Sequence, residues 1–383
     1  MGRFRARPRT AGRLAGIVAI AVALTVAACG SSPRGSATSQ ARTAKDAASG
    51  TTPVTLRVGI YPGSFYTWLP YLAEAQGFFA RNGVSAHLVD LSNGPVAFAA
   101  LASGSADMVD GDLSLAGPFI ERGVGLSVLS GSTDAGWELV APAGSPLPGI
   151  SAGFPVSVRG LRGKTVAVWG LGSSSYYVAR FYVSQAHVPA GAVTYVAAGG
   201  PVQSVETVIA KRVAAAIEAP DAAFVLTHLF HASMLFDPAA DPQGLPPAIR
   251  SLVGRPSGAL WVRSSWAKAN PNAAASVQLA LLEADLWMHQ PASFARVEAL
   301  LEQGQQLPSV VKGAEVAPFV HQMLGDIEAY YPPASARMFS KFWVSAGLLS
   351  KAIPASSQVL PSVPATQAAV EARVDAATKV TNR

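Results

Sequence analysis

The segment best suited to contact a ligand lies near the middle of the chain, at residues 170–176, which read Gly-Leu-Gly-Ser-Ser-Ser-Tyr. Glycine lets backbone N–H groups approach a ligand, and serine hydroxyls supply adjustable hydrogen bonds. The segment follows a predicted strand and begins a predicted helix, whose free N–H groups favour a negatively charged ligand group. The alternative is that the serines only cap the helix. Nucleotide binding is disfavoured, because the full dinucleotide fingerprint and a phosphate-loop lysine are both missing.

Aromatic and acidic residues accumulate in similar loops. Aromatic faces suit a flat heterocycle or a cation, and a carboxylate opposite them favours an amine, amidine or aminopyrimidine over a sulfonate. The same side chains could instead pack in the core, cap helices or pair at the surface. The aromatic candidates are Tyr66, Trp68, Trp137, Trp169 and Tyr176, and the acidic ones are Asp110, Asp112, Glu138, Glu218 and Asp221.

A predicted ligand site combines both groups with loop serines. The candidate loops at residues 62–67, 110–114 and 131–136 carry no arginine, which weakens the case for a strongly anionic ligand. The predicted ligand-binding residues are Ser64, Tyr66, Trp68, Asp112, Ser114, Trp137, Ser173, Ser174, Ser175, Tyr176 and Glu218.

A metal site and a catalytic site are not expected. His228 and His231 have helical spacing, but no third ligand is near them in the sequence, and protein metal sites need three or four. We therefore expect a surface or capping role for this pair. No nucleophile–base pair is recognisable, so we predict no catalytic residue, no metal and no cofactor.

The N-terminus has the pattern of a secretory signal. Five arginines precede an apolar run at residues 14–28, which is short for a membrane span. The run ends at Val26-Ala-Ala-Cys-Gly30, which resembles the bacterial lipobox, so Cys29 is the predicted lipidation site. Attached acyl chains such as palmitate would hold the protein on the extracytoplasmic face of the cell membrane. A chance cysteine after an ordinary signal, or a single-helix anchor, is the alternative.

The charge balance depends on this segment. The chain has 29 Lys and Arg against 23 Asp and Glu, and removing the five signal arginines leaves 24 basic residues against 23 acidic ones. Nucleic-acid binding therefore loses its main support. Cys29 is the only cysteine, which excludes an intramolecular disulfide.

Strands and helices alternate along the mature chain. Residues 55–61 alternate apolar and polar side chains and predict a strand, which a helix at residues 67–81 follows. Further strands are predicted at residues 86–91, 107–110, 126–130, 137–141, 165–169, 193–197, 214–217 and 257–262. Helices are expected between them and over most of residues 272–346. This order favours an α/β fold whose mostly parallel sheets are flanked by helices.

The predicted organisation has six parts. Two loop-rich intervals, at residues 143–155 and 237–256, suggest two lobes joined by two hinge crossings. The parts are a signal peptide (1–28), a flexible tether (29–52), the first part of lobe 1 (53–142), lobe 2 (143–256), a return to lobe 1 with C-terminal helices (257–350) and a loosely packed tail (351–383).

Several motifs resemble one known family. The segment from Trp68 to Gly83, with Pro70, Ala73 and Gly77, resembles the first βα unit of solute-binding proteins for taurine, alkanesulfonates, nitrate and thiamine-pyrimidine precursors. Residues 100–107 are similar to the second helix and third strand of that family. Residues 161–168 match the opening of its second lobe, with Gly160 where an aspartate is usual. Residues 208–220 resemble the following helix–strand–proline unit, except that Lys211 and Arg212 replace a glycine. The resemblance spans about residues 54–350.

The resemblance implies a type II periplasmic-binding-protein fold, in which two lobes close over a small solute. It also implies an ABC-transporter permease as partner, and the segment that matches residues 170–176 touches the acidic group of the ligand in that family. The chain is then expected to act as a monomer that is tethered through Cys29 and does not bind nucleic acid.

Two other functions stay open. One is an enzyme on the same fold, related to pyrimidine-precursor synthesis, although such enzymes carry a cysteine-rich motif and this chain has no cysteine beyond Cys29. The other is a lipoprotein that presents the fold to a protein partner instead of transporting a solute.

Overall fold

Two five-stranded sheets form the framework of the protein. A computed structural model describes residues 53–133 and 136–361. The predicted signal peptide, the tether, Cys29 and residues 362–383 lie outside these ranges. The strands are β1 (Val54–Ile60), β2 (Val84–Asp90), β3 (Met108–Gly111), β4 (Leu126–Gly131), β5 (Glu138–Ala141), β6 (Thr165–Val168), β7 (Thr194–Ala197), β8 (Ala215–Glu218), β9 (Ser233–Phe236) and β10 (Ala259–Arg263).

The first sheet has the strand order β2-β1-β3-β10-β4. Strand β1 runs parallel to β2 and β3, whereas β10 is antiparallel to both β3 and β4. The apolar alternation of β1 places Leu56 and Val58 fully in the core. The carboxyl ends of the parallel strands β1 and β3 therefore meet at one edge of the sheet, where ligands of open α/β sheets usually lie.

The second sheet has the order β7-β6-β8-β5-β9. Strands β6, β7 and β8 are parallel, and β5 is antiparallel to β8. Strand β5 was predicted to belong to lobe 1, with the boundary at residue 142, but it pairs with β8 and β9 of lobe 2. The first crossing therefore lies before β5. The prediction was wrong because a pattern of apolar residues does not reveal which sheet a strand joins.

Helices cover both sheets and fill the C-terminal third. They are α1 (Trp68–Ala75), α2 (Phe78–Arg81), α3 (Gly94–Ser103), α4 (Leu113–Glu121), α5 (Val156–Arg159), α6 (Ser174–Gln185), α7 (Pro201–Ile209), α8 (Pro220–Phe224), α9 (Pro247–Arg250), α10 (Ser264–Ala269), α11 (Pro271–Met288), α12 (Phe294–Gln303), α13 (Val316–Leu324), α14 (Pro333–Ser345) and α15 (Ala355–Gln358). The two-lobed α/β architecture is as expected. No helix within the described ranges has both the length and the apolar character that a membrane crossing needs.

The beginning of the predicted C-terminal tail is packed against lobe 1. Ile353 and Gln358 are buried, and the backbone N–H of Leu360 donates to the carbonyl of Val128 on β4 at 2.9 Å. The prediction of loose packing is therefore wrong for residues 351–361. The segment is poor in large apolar residues, and its order comes from extending the edge of the first sheet, which composition does not show.

Candidate functional site

A small cavity lies between the two lobes, at the carboxyl ends of β1, β3 and β6. Its volume is about 40 Å³, which leaves room for a few water molecules. Residues of both lobes and of the crossings line it: Tyr61, Tyr66, Gly94, Asp110, Gly111, Asp112, Leu115, Trp137, Trp169, Ser173, Ser174, Ser257 and Gly258.

Three aromatic rings meet in the cleft. Tyr66 comes from lobe 1, Trp137 from the first crossing and Trp169 from the end of β6 in lobe 2. The ring centroids of Trp137 and Trp169 are 4.9 Å apart, and those of Tyr66 lie 6.0 Å and 5.9 Å from them. Because the rings touch one another across the cleft, a ligand of organic size requires the rings or the lobes to move apart.

The N-termini of two helices meet at one carboxylate. Asp112 is the N-cap of α4, and its Oδ1 accepts a hydrogen bond from the backbone N–H of Ser114 at 2.9 Å. The hydroxyl of Ser114 also donates to this oxygen, and the hydroxyl of Ser174, at the start of α6 in lobe 2, donates to it at 3.0 Å. Asp112 therefore links the lobes and occupies the position where two helix N-termini favour a negative charge.

A second carboxyl group, that of Asp110, faces the same cavity and has fewer hydrogen bonds than Asp112. Asp110 on β3 is buried, and its Oδ2 has no hydrogen-bond partner among the described residues. Burial raises the pKa of Asp110 well above its usual range, which the nearby Ser132 hydroxyl opposes and Asp112 reinforces. Burial also raises the pKa of Asp112, against the hydrogen bonds from Ser114 and Ser174. Of the described residues that line the cavity, none is a lysine, arginine or histidine.

More acidic groups stand behind the rings. Glu218 accepts hydrogen bonds from Nε1 of Trp169, at 2.9 Å, and from the hydroxyl of Ser204. Burial raises the pKa of Glu218 to about 8, although these two hydrogen bonds lower it. Asp221 is also buried, and its Oδ2 accepts the backbone N–H of Phe65 from the other lobe at 3.1 Å. Glu218 thus orients an aromatic wall of the cavity, and Asp221 joins the lobes.

The structure brings five of the predicted site residues together at the cavity. These are Tyr66, Asp112, Trp137, Ser173 and Ser174. Ser114 contributes through its hydrogen bond to Asp112, and Glu218 through its hydrogen bond to Trp169. Trp169 and Asp110, which the sequence marked as aromatic and acidic candidates, also line the cavity.

Four predicted site residues lie away from the cavity lining. Trp68 is buried in lobe 1, where its Nε1 donates to the carbonyl of Gln306 at 3.1 Å and its ring packs on Phe319. The hydroxyl of Ser175 accepts the backbone N–H of Trp169 at 3.0 Å, and Ser64 is fully buried. Tyr176 packs against Tyr195, at 5.5 Å between ring centroids. A position in a loop does not determine which way a side chain points.

Several lining residues were not predicted from the sequence. Tyr61 directly follows β1, and its hydroxyl donates to the carbonyl of Asp110 at 2.7 Å. Ser257 and Gly258 lead into β10, and Gly94 begins α3. Tyr61 is the last residue of the predicted strand at residues 55–61, and this position at a strand end is a usable signal. Ser257 and Gly258 had none, because β10 is antiparallel and reaches the cleft with its amino end.

The histidine pair has no metal-binding geometry. The His228 ring stacks on Phe224 at 4.0 Å between centroids, and its Nδ1 lies 3.1 Å from the Phe224 carbonyl oxygen. Within residues 53–133 and 136–361, no group of three or more His, Cys, Asp or Glu side chains could hold a metal ion.

Comparison with solved structures identifies the architecture. The alkanesulfonate-binding protein SsuA from Xanthomonas axonopodis pv. citri, solved with MOPS bound, superimposes with a TM-score of 0.62 at 17% identity, over 81% of this chain and 99% of that one. A Candida albicans gene product with the generic periplasmic binding protein fold gives 0.60 at 12% identity, over 82% and 98% of the two chains. The chain has the periplasmic-binding-protein fold.

A third neighbour extends the range of ligands found on this fold. The nitrate-binding protein NrtA from Synechocystis PCC 6803 superimposes with a TM-score of 0.57 at 14% identity, over 85% of this chain and 86% of that one. These neighbours match the family that the sequence motifs resemble. No protein-family model matches the sequence. No curated protein matches it either.

Proposed function

We propose that this protein is a solute-binding receptor that captures a small organic solute between its lobes and delivers it to an ABC importer. The observation that carries the proposal is the inter-lobe cavity, which both lobes and both crossings line. Solute-binding proteins for sulfonate and nitrate share the fold. A pocket of this kind, with aromatic walls and a few converging polar groups, is typical of small-molecule sites.

Lobe closure is the expected working motion. The contacts between the lobes include the ring cluster of Tyr66, Trp137 and Trp169, the Ser174–Asp112 and Phe65–Asp221 hydrogen bonds, and the packing of Phe181 on Phe342. A single hydrogen bond stabilises by about 1 kcal/mol, so the hydrogen bonds among these contacts are weak enough to break on opening. Hinge opening around the two crossings would expose the rings to a solute.

Membrane tethering through Cys29 belongs to the same proposal. A receptor that hands its solute to a membrane permease gains from being held near it, because tethering raises the local concentration. The lipobox-like segment supplies the attachment chemistry at a thiol. We expect the Cys29→Ser protein to appear in the culture medium, whereas the wild type stays with the membrane and incorporates a labelled fatty acid. Equal membrane retention of the two proteins would contradict the tether.

The site is described better as a binding site than as a catalytic one. Among the lining residues the structure describes, the hydroxyl of Ser174 donates to a carboxylate and that of Ser173 to the Gly170 carbonyl. Neither hydroxyl has an imidazole base beside it, so neither is activated as a nucleophile. Cleft closure without chemistry accounts for this arrangement.

Native mass spectrometry of the mature protein, purified from its own cells, tests the receptor function. We expect one small molecule to remain bound under native conditions and to be lost on denaturation. The same molecule should raise the melting temperature, because it binds only the folded state. Ser173→Ala and Ser174→Ala should lower that shift, whereas Ser151→Ala, on the exposed surface of lobe 2, should not. Turnover of a candidate solute without stable binding would contradict the receptor function.

A further inference from the structure

The walls of the inter-lobe cavity have a distinct chemical character. They combine three aromatic rings with two carboxyl groups, and the described lining residues include no basic side chain. We propose that the solute of this site is a small organic cation, an inference that rests on the receptor function proposed above. A quaternary or primary ammonium group would sit among the rings of Tyr66, Trp137 and Trp169, beside Asp110 and Asp112.

The N-termini of two helices are the places in the cleft where an anion could bind. The N-terminus of α4 faces the cleft from lobe 1 and that of α6 faces it from lobe 2. The Asp112 carboxylate accepts hydrogen bonds from Ser114 and Ser174 at these two termini. The hydroxyl of Ser173 caps α6 by accepting the backbone N–H of Tyr176. A sulfonate or nitrate would have to displace a carboxylate that is covalently part of the protein.

Two buried polar atoms of the cavity lack a well-formed hydrogen bond. Among the described residues, neither Asp110 Oδ2 nor Tyr66 Oη has a partner with hydrogen-bond geometry, although the Ser132 hydroxyl lies near the Asp110 carboxyl. Buried polar atoms in native proteins are nearly always satisfied, so each such exception needs an explanation. Asp110 Oδ2 is an acceptor when ionised; a primary ammonium or amidinium group supplies N–H donors and a compensating charge, whereas a quaternary ammonium group supplies the compensating charge alone. A ligand that donates an N–H would give Asp110 Oδ2 the hydrogen bond that it lacks.

The charged groups near the rings are acidic. Burial and, after it, the charges of Asp221, Asp112, Asp110 and Asp326 raise the pKa of the Tyr66 hydroxyl well above its ordinary value. In a cavity of low dielectric, such a field attracts cations and repels anions. The aromatic faces act in the same direction, because their negative quadrupoles attract ammonium groups.

The ring geometry suits a compact cation. Three rings whose centroids lie 4.9 to 6.0 Å apart form a cluster that must part to admit a ligand. When they part, an ammonium group at the centre of the cluster would face several rings together, which is how aromatic cages recognise quaternary ammonium ions. The rings come from both lobes, so the bound cation would hold the cleft closed.

Isothermal titration calorimetry with matched ligands tests the inference. Choline is compared with its neutral carbon isostere, in which a tert-butyl group replaces trimethylammonium, and with tetramethylammonium, benzylamine and MOPS. We expect choline to bind at least about tenfold more tightly than its isostere, since one cation–π contact in a desolvated site is worth that much. MOPS should give no binding heat.

A variant pair locates the binding. Trp169→Leu removes one ring of the cluster and should weaken choline binding by about tenfold. Trp266→Leu, the same change on α10 outside the cavity lining, is the matched control and should leave the affinity unchanged. Melting curves of both variants show whether they are folded. Equal effects of the two changes would overturn the placement of the cation among the rings.

The outcomes separate this inference from the receptor function. Binding of MOPS or another sulfonate, with no binding of any cation in the panel, overturns the cation inference and leaves the receptor function standing. Equal affinity for choline and its neutral isostere also overturns it, because charge is then not recognised. If no ligand of either class binds and the protein purified from its own cells carries no small molecule, the receptor function fails as well.

Discussion

Two aspartates at opposite ends of one short strand have opposite environments. Asp107 immediately precedes β3, and its carboxylate accepts hydrogen bonds from Nε and Nη2 of Arg57 and from Nη2 of Arg263, each at 2.9 Å. Asp110, three residues further along, has no basic residue among its neighbours in the cavity lining. The carboxylate at the amino end of the strand is paired with two arginines, whereas the carboxyl near the other end has no basic partner in the cavity lining.

The pKa values express the same difference. Burial alone would raise the pKa of Asp107, but the hydrogen bonds from Arg57 and Arg263 outweigh it and hold the pKa below its ordinary value. Burial raises the pKa of Asp110 well above that value. A paired carboxylate supports the fold, whereas an unpaired buried one costs stability and is retained where a function requires it. The contrast therefore separates the structural end of the sheet from the ligand end.

The largest expected effect is on the pH dependence of stability. Burial raises the pKa of Glu218 to about 8. The folded state therefore binds more protons than the unfolded state between roughly pH 4.5 and 8, and stability falls as pH rises through that window. Glu218→Gln should remove this pH-dependent decrease in the free energy of unfolding, which is on the order of 4 kcal/mol. Urea unfolding at both ends of the window measures it.

Asp107→Asn provides the contrasting control. The wild-type Asp107 carboxyl has a lowered pKa and is ionised in both the folded and the unfolded state above about pH 5. Its contribution to the free energy of unfolding should therefore be constant across that window and be lost only at lower pH. A wild-type stability that does not fall between pH 5 and 8, or a Glu218→Gln protein with the same slope, would contradict the stability cost assigned to the buried Glu218 carboxyl.

Removing the unpaired charge at the ligand end should affect binding. Asp110→Asn preserves shape and removes the ability to ionise, so choline affinity should fall about 100-fold, as for loss of one partner of a buried charge pair. The free energy of unfolding should change less than the affinity does, because burial raises the pKa of Asp110 and so already disfavours the charged form that the substitution removes. Calorimetry and urea unfolding give the two quantities. A large loss of stability with unchanged affinity would reverse the roles assigned to the two ends of β3.

The same substitution at the structural end should act on stability. Asp107→Asn weakens charge-assisted hydrogen bonds to Arg57 and Arg263, and we expect the free energy of unfolding to decrease by about 2 kcal/mol. Choline affinity should remain within a factor of two of the wild-type value. An Asp107→Asn protein that unfolds like the wild type would show that this ion pair is a surface contact of little weight.

The smallest effect concerns the contact across the cleft. Ser174→Ala removes the hydroxyl that donates to Asp112 from the opposite lobe. A hydrogen bond of this kind is worth about 1 kcal/mol, so choline affinity should fall about fivefold through a less favoured closed state. Ser151→Ala is the matched control. Small-angle scattering should show a more open average shape for Ser174→Ala, and an unchanged profile with unchanged affinity would exclude a role in closure.

Much of the fold could be predicted from the sequence. The apolar alternation of β1 and the helix–strand order led to two α/β lobes, because both signals are local. The assignment of β5 to lobe 1 was wrong, since strand pairing is a long-range property. The packing of residues 351–361 was also missed, because it depends on the free edge of β4.

The candidate site was predictable only in part. Loop position placed Asp112, Ser173 and Ser174 at the cavity, because helix N-termini follow the carboxyl ends of parallel strands. Trp68 stands beside the same loops but points into lobe 1. Ser257 and Gly258 reach the cleft through the antiparallel β10, a connection that residue types do not reveal.

The number of protons exchanged on cation binding tests the central contrast most directly. Burial raises the pKa of both Asp110 and Asp112, and a cation between them would lower it again. Calorimetric titration of choline at several pH values, each in two buffers that differ in ionisation enthalpy, measures the exchange. We expect choline binding to release protons from the wild-type protein where the pH lies between the pKa values of the free and bound states, and we expect Asp110→Asn to reduce the release. Binding with no proton exchange at any of these pH values, or with proton uptake, would contradict this expectation.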